Sequence, residues 1–205
     1  MPRIQSPEGE SDVSRVLLPG APNEENFREW FAVAKESPSG ASPSWHRKRG
    51  LHFERALYYL LASEGLMPRT SFRPKSEEID GAFELAHRYF LLEAKWEAKP
   101  VRLKELDALY GKVERKLSGT LGVFISMSGY SRGAVDSHLK SKPLKIVLFG
   151  ERDMDACFET NVGFKIVLTA KLRAASEYGV PYLEYRPLVV PPMDTHIDKK
   201  GAEER

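Results

Sequence analysis

Two short segments, LGVFISM at residues 121–127 and LKIVLFG at 144–150, are apolar almost throughout and rich in β-branched side chains. A strand with one wet face alternates apolar and polar residues, whereas a run without that alternation is buried on both faces. The residues between the two segments leave room for a helix, capped by Ser131 and running through Leu139. Two buried strands joined in this way fit a parallel βαβ unit, because a parallel crossover needs about a dozen residues or more. The expected fold class is α/β, a mixed β-sheet flanked by helices.

The remaining elements follow from pattern and punctuation. Residues 77–85 and 88–96 read as two strands meeting at a tight connection around Ala86 to Arg88, with a helix after them over about 101–117. Upstream, EENFREWFAVAK predicts a short helix, and a stronger one runs from near Trp45 to Glu64 and stops at Gly65. Downstream, FKIVLTAKLRAASEYG carries apolar residues at helical spacing, with the Lys171 stem among them and Gly179 as the stop. The expected organisation is an arm with a short helix (1–43), a core domain (44–160), a C-terminal helix and extended segment packing on that core (161–190), and a flexible tail (191–205).

Composition sets limits on function. With 41% hydrophobic and 29% charged residues in 205, the chain can bury one good core. Its apolar runs, such as Tyr89 to Leu92 and Leu121 to Ile125, fall far short of the ~20 residues that span a bilayer, and MPRIQSPEGESD has no apolar signal core. A cytoplasmic protein without a membrane partner is expected. The single cysteine, Cys157, excludes an intramolecular disulfide and a Cys/His zinc cluster, and is expected to be a small buried residue. His46, His52, His87, His138 and His196 show no metal-ligand spacing. Residues 41–150 hold 19 Lys and Arg against 12 Asp and Glu, so the basic excess sits in the middle of the chain and favours a polyanionic partner there.

The charged residues inside the strands need an explanation. Along RYFLLEAKW, the strand period of two puts Tyr89, Leu91, Glu93 and Lys95 on one face and Phe90, Leu92, Ala94 and Trp96 on the other. An even-numbered hairpin loop would bring Asp80 opposite Glu93 or Lys95 on the same face, while an odd loop or a bulge would not. Two carboxylates at a sheet's end repel each other, and a hard cation such as Mg²⁺, bound through one or two carboxylates and several waters, removes that conflict. Lys95 could then orient a water. Glu54, at the edge of the apolar stripe of GLHFERALYYLLASEG, offers a third acid. A purely structural origin is open as well: Asp80 as a hairpin residue, Glu93 and Lys95 as a same-face ion pair on an edge strand, and Glu54 as a surface charge.

Asp80, twelve residues, then Glu93-Ala94-Lys95, with Glu54 on an upstream helix, resembles the PD-(D/E)XK nuclease superfamily. The succession GLHFERALYYLLASEG, EIDGAF, LLEAKW, LGVFISMSGYSRGAVDSHL and KIVLFG is similar to its Mrr-type restriction endonuclease branch, over roughly residues 48–160. The resemblance implies a restriction-endonuclease-like core over 44–160 and hydrolysis of DNA phosphodiester bonds with Mg²⁺, for which Mn²⁺ may substitute. It also implies metal ligation by Asp80, Glu93 and the Ala94 backbone carbonyl, water positioning by Lys95, and an accessory acid at Glu54. One departure stands out: many such domains carry a glutamine in the helix after the lysine, and VRLKELDALYGKVERKL has none.

Other residues are candidates for backbone contacts with nucleic acid. Lys99, Arg102 and Lys104 follow the motif strand, and Ser128, Ser131 and Arg132 in SMSGYSRG could meet a phosphate; a turn with an N-cap accounts for the serines as well. The expected function is a metal-dependent DNA endonuclease in defence against foreign DNA or in DNA processing. The rival is a non-catalytic nucleic-acid-binding or assembly subunit that keeps the fold. With no recognition domain visible, a homodimer or a partner recognition subunit is implied, or little sequence specificity.

Overall fold

The computed structural model describes residues 18–186 except 37, 39, 75 and 76. The expected arm before residue 18 and the tail from 191 lie outside the described residues.

A four-stranded sheet in the order β1-β2-β3-β4 forms the centre, from β1 (Gly81–Leu85), β2 (Arg88–Lys95), β3 (Leu121–Ser126) and β4 (Ile146–Phe149). The pair β1–β2 is antiparallel, and β2–β3 and β3–β4 are parallel. Each parallel step is made through a helix, α3 (Leu103–Glu114) and α4 (Ala134–Ser141). The opposite face carries α1 (Phe27–Lys35), α2 (Pro43–Ser63), α5 (Glu151–Phe158) and α6 (Gly163–Tyr178). Side chains alternate between the two layers. Phe90, Leu92, Val123 and Ile125 pack with α2 and α6, while Leu91, Phe124 and Leu148 pack with α3 and α4. The sheet is therefore covered on both faces, as the unbroken apolar runs of β3 and β4 require.

Three local features fix what matters for the site. The β1–β2 loop is the two-residue turn Ala86-His87, with φ of +50° and +61°. Positive φ at both positions is the hairpin turn whose twist matches the strands, so the loop is even despite its unusual residues. Ser42 caps α2, its Oγ accepting the Trp45 N–H at 3.2 Å, with Pro43 next. Gly122 on β3 lets α3 approach closely: a Cβ there would lie 3.1 Å from Val113 Cγ2.

The structure also differs from expectation. Strand pairing begins at Gly81, not residue 77; Ile79 forms an isolated bridge with Phe72. The α4 helix begins at Ala134, with Gly133 in the left-handed conformation at its N-cap. Ser131 is therefore not the cap; it lies in the turn before the helix, where its N–H donates to the Val101 carbonyl at 2.7 Å and its own carbonyl accepts the Ala134 N–H at 3.0 Å. The α5 helix is an addition. Its Asp153 is buried, accepts the Gly150 N–H at 2.8 Å and pairs with buried Lys171 at 2.7 Å. The same pair holds the segment after α6, since Asp153 accepts the Tyr185 N–H and Lys171 donates to the Leu183 carbonyl. Cys157 on α5 is fully buried, and burial pushes its thiol up. Among the described residues, no helix is long and apolar enough to cross a membrane.

Candidate active site

The acids meet where the chain leaves α2 and enters the hairpin. Gly81 pairs with Leu92, so Asp80 falls opposite Glu93 at the next position outward. Asp80 Oδ2 accepts the Ala94 N–H at 3.0 Å, which anchors the carboxylate against β2. Glu54, half-buried on α2, is within electrostatic reach of Asp80, Glu78 and Glu93.

Burial and mutual repulsion shift these groups. Desolvation, reinforced by Asp80, Glu78 and Glu93, pushes the Glu54 carboxyl up to about 7. Asp80 is also raised, by burial first and then by Glu93, against the opposing Ala94 N–H and the cations Lys112 and Lys95. The cluster thus holds more negative charge than its surroundings stabilise.

Two lysines answer part of that charge. Lys112, on α3, places Nζ 2.6 Å from Glu93 Oε2, and the two side chains are only 17% and 18% exposed. Lys95 lies at the end of β2, 3.3 Å from Glu97 Oε1 and 3.4 Å from Glu105 Oε1. Burial pulls the Lys95 ammonium down, but Glu97 and Glu105 outweigh it and hold the group above its ordinary value. Glu105 also fixes the start of α3, accepting the Arg102 N–H at 2.8 Å on its other oxygen.

The acids form an all-oxygen donor set, suited to a hard cation. Among the described residues, no three His, Cys, Asp or Glu side chains converge tightly enough to hold a metal by themselves. Mg²⁺ does not require three, because it binds through one or two carboxylates and retains several waters. The half-buried setting of Glu54 and Asp80, with Asp80 opposite Glu93, is the observation that fits such an ion.

A family model described as restriction endonuclease, the Mrr catalytic domain, matches residues 46–156. The chain belongs to this family. Within it, the mixed sheet with helices on both faces is the restriction-endonuclease-like fold.

No curated protein matches this Mrr-type chain. Among solved structures it is similar to a protein of unknown function, at 21% identity over 58% of this chain and 64% of that one, with a TM-score of 0.40. It is also similar to MspJI restriction endonuclease in complex with a 27-mer oligonucleotide, at 17% identity over 90% of this chain and 42% of that one, TM-score 0.40. A type III CRISPR defence DNA nuclease activated by cyclic oligoadenylate matches at 19% identity over 58% of this chain, TM-score 0.31. The Mrr-type chain spans 25% of that nuclease's length.

The remaining sequence candidates lie beside α3. Lys99, Arg102 and Lys104 are exposed around its N-terminus, and Arg132 is exposed just before α4. The Ser128 hydroxyl donates to the Glu97 carbonyl, and the Ser131 N–H to that of Val101, so both serines tie the turn after β3 to the chain after β2. Trp96 is buried among Trp30, Phe31 and Phe53 on the α2 side. Sequence reasoning gave neither Lys112 nor Glu105 a role at the site. Nothing in the local pattern distinguishes either from its solvated neighbours.

Proposed function

We propose that this domain is a metal-dependent DNA endonuclease of the PD-(D/E)XK type, acting in defence against foreign DNA or in DNA processing. The observation that carries the proposal is the gathering of Glu54, Asp80 and Glu93 from α2, the start of β1 and β2 into one partly buried cluster, with Lys95 at its edge. Membership of the restriction endonuclease family supports it.

Asp80, Glu93 and the Ala94 carbonyl would hold Mg²⁺ or Mn²⁺, with Glu54 an accessory acid. Such an ion supplies Lewis acidity toward the phosphate and lowers the pKa of bound water. Lys95, kept protonated by Glu97 and Glu105, is a hydrogen-bond donor and cation, not a base. It orients the attacking water and offsets charge that builds on the phosphate. The water oxygen forms the new bond to phosphorus and gives up a proton to solvent, one ester P–O bond breaks, and the departing oxygen takes up a proton from solvent. Lys99, Arg102, Lys104 and Arg132 would meet the DNA backbone, with Ser128 and Ser131 shaping the adjoining turn. A second copy of the chain or a partner subunit would supply sequence recognition.

The Lys112–Glu93 pair favours one alternative, a nucleic-acid-binding subunit whose acid is neutralised internally. Calorimetric titration with Mn²⁺ separates the two. Binding that Asp80→Ala abolishes supports the enzyme; no binding by the wild type supports the subunit.

A further inference from the structure

Beside the acids lies a cleft of about 550 Å³, and Glu54 and Asp80 form part of its wall. Its other lining is unlike the metal-binding end. Tyr58 and Tyr59 present rings to it, set edge to face at 5.4 Å, and Arg55 and Arg69 stand at its sides. Tyr59 is committed to the core, stacked on Phe27 at 6.5 Å. Among the described residues Tyr58 is half-buried and outside that core, so its ring rather than that of Tyr59 can receive a ligand. Both arginines are exposed, and each lies over a ring that steadies it: Arg55 over Tyr59 at 5.9 Å and Arg69 over Phe72 at 4.1 Å.

We propose that this cleft receives one unpaired nucleotide of the strand being cut, with its base on Tyr58 and its phosphates between the arginines and the acids, so that the preferred substrate is single-stranded or locally unpaired DNA. The inference rests on the nuclease assignment and adds the substrate class. Three observations carry it. The volume suits a nucleotide-sized ligand and is too small for a segment of duplex. Glu54 and Asp80 line the cleft itself, so a phosphate held at them lies within reach of a sugar and base seated there. An aromatic ring flanked by cations is the arrangement that binds single strands with little regard to sequence, by stacking and charge. A paired base would first have to be extracted from its stack, which disfavours intact duplex.

Fluorescence anisotropy with a short labelled single strand and the matching blunt duplex, in EDTA, tests the proposal. The wild type should bind the single strand more tightly. Tyr58→Ala should weaken that binding about tenfold while changing duplex binding less than about twofold, and Tyr58→Phe, which keeps the ring, should restore the single-strand affinity. Equal affinity of the wild type for strand and duplex, or an unchanged Tyr58→Ala, overturns the proposal. So does a Tyr58→Phe variant as weak as Tyr58→Ala. Cleavage in Mn²⁺ separates this outcome from failure of the nuclease assignment. Cutting that needs Asp80 and Lys95 but ignores Tyr58 removes the cleft's role alone; Tyr58-dependent binding by a wild type that cuts nothing removes the nuclease alone.

Discussion

The ammonium of Lys112 sits 2.6 Å from the carboxylate of Glu93, linking α3 to the motif strand at the point where the acids crowd together. Both groups are mostly buried, so removing one leaves the other poorly paired. Such losses lie between the small value of an exposed pair and the several kcal/mol of a buried one. Lys112→Ala should destabilise the metal-free protein by about 2 kcal/mol, measured by urea unfolding. The deficit should shrink on adding Mn²⁺, giving a larger metal-induced rise in Tm than in the wild type.

Glu54 makes the metal-free protein sensitive to pH. Its folded-state carboxyl is raised from 4.5 to about 7, so the folded protein binds a proton that the unfolded chain has already released. Its unfavourable contribution is therefore absent below pH 4.5, grows as pH rises toward 7, and is complete above that. Glu54→Gln should be more stable than the wild type at pH 8 by about 2 kcal/mol, a figure discounted for the solvent the carboxyl still meets. The gain should vanish near pH 4, with Tm against pH as the readout.

The Ala86-His87 turn holds Asp80 opposite Glu93 with two residues that pay a backbone cost for positive φ. His87 is fully exposed, and its only ion-pair contact among the described residues is with Glu84 at 3.7 Å. His87→Gly should stabilise the domain by about 1 kcal/mol without moving the register, seen as a higher urea midpoint at unchanged m.

Much of this architecture was legible because burial leaves a pattern. The unbroken apolar runs of β3 and β4 specified parallel strands under two helical layers. The period of two in RYFLLEAKW put Glu93 and Lys95 on one face, which the structure shows to be the α3 face, where Lys112 and Glu105 meet them. The turn was less legible, since neither alanine nor histidine signals positive φ and only an even loop could be stated as a condition. The α5 helix left a weak trace because ERDMDACF is short and polar, and it is held by the buried Asp153–Lys171 pair, a contact with the next helix that the segment's own pattern does not record. Lys112 was hidden for a related reason. Its partner is set by how closely α3 lies on β3, which Gly122 permits and no local pattern records. The missing glutamine on α3 therefore does not leave that helix without a polar group at the site.

The most direct test is cleavage of supercoiled DNA in Mg²⁺ or Mn²⁺ by the wild type, Asp80→Ala and Lys95→Ala. Nicking or linearisation by the wild type, with each substitution lowering the rate by about a hundredfold or more, is the predicted result. Cutting at the wild-type rate by either variant would contradict a catalytic centre at these residues.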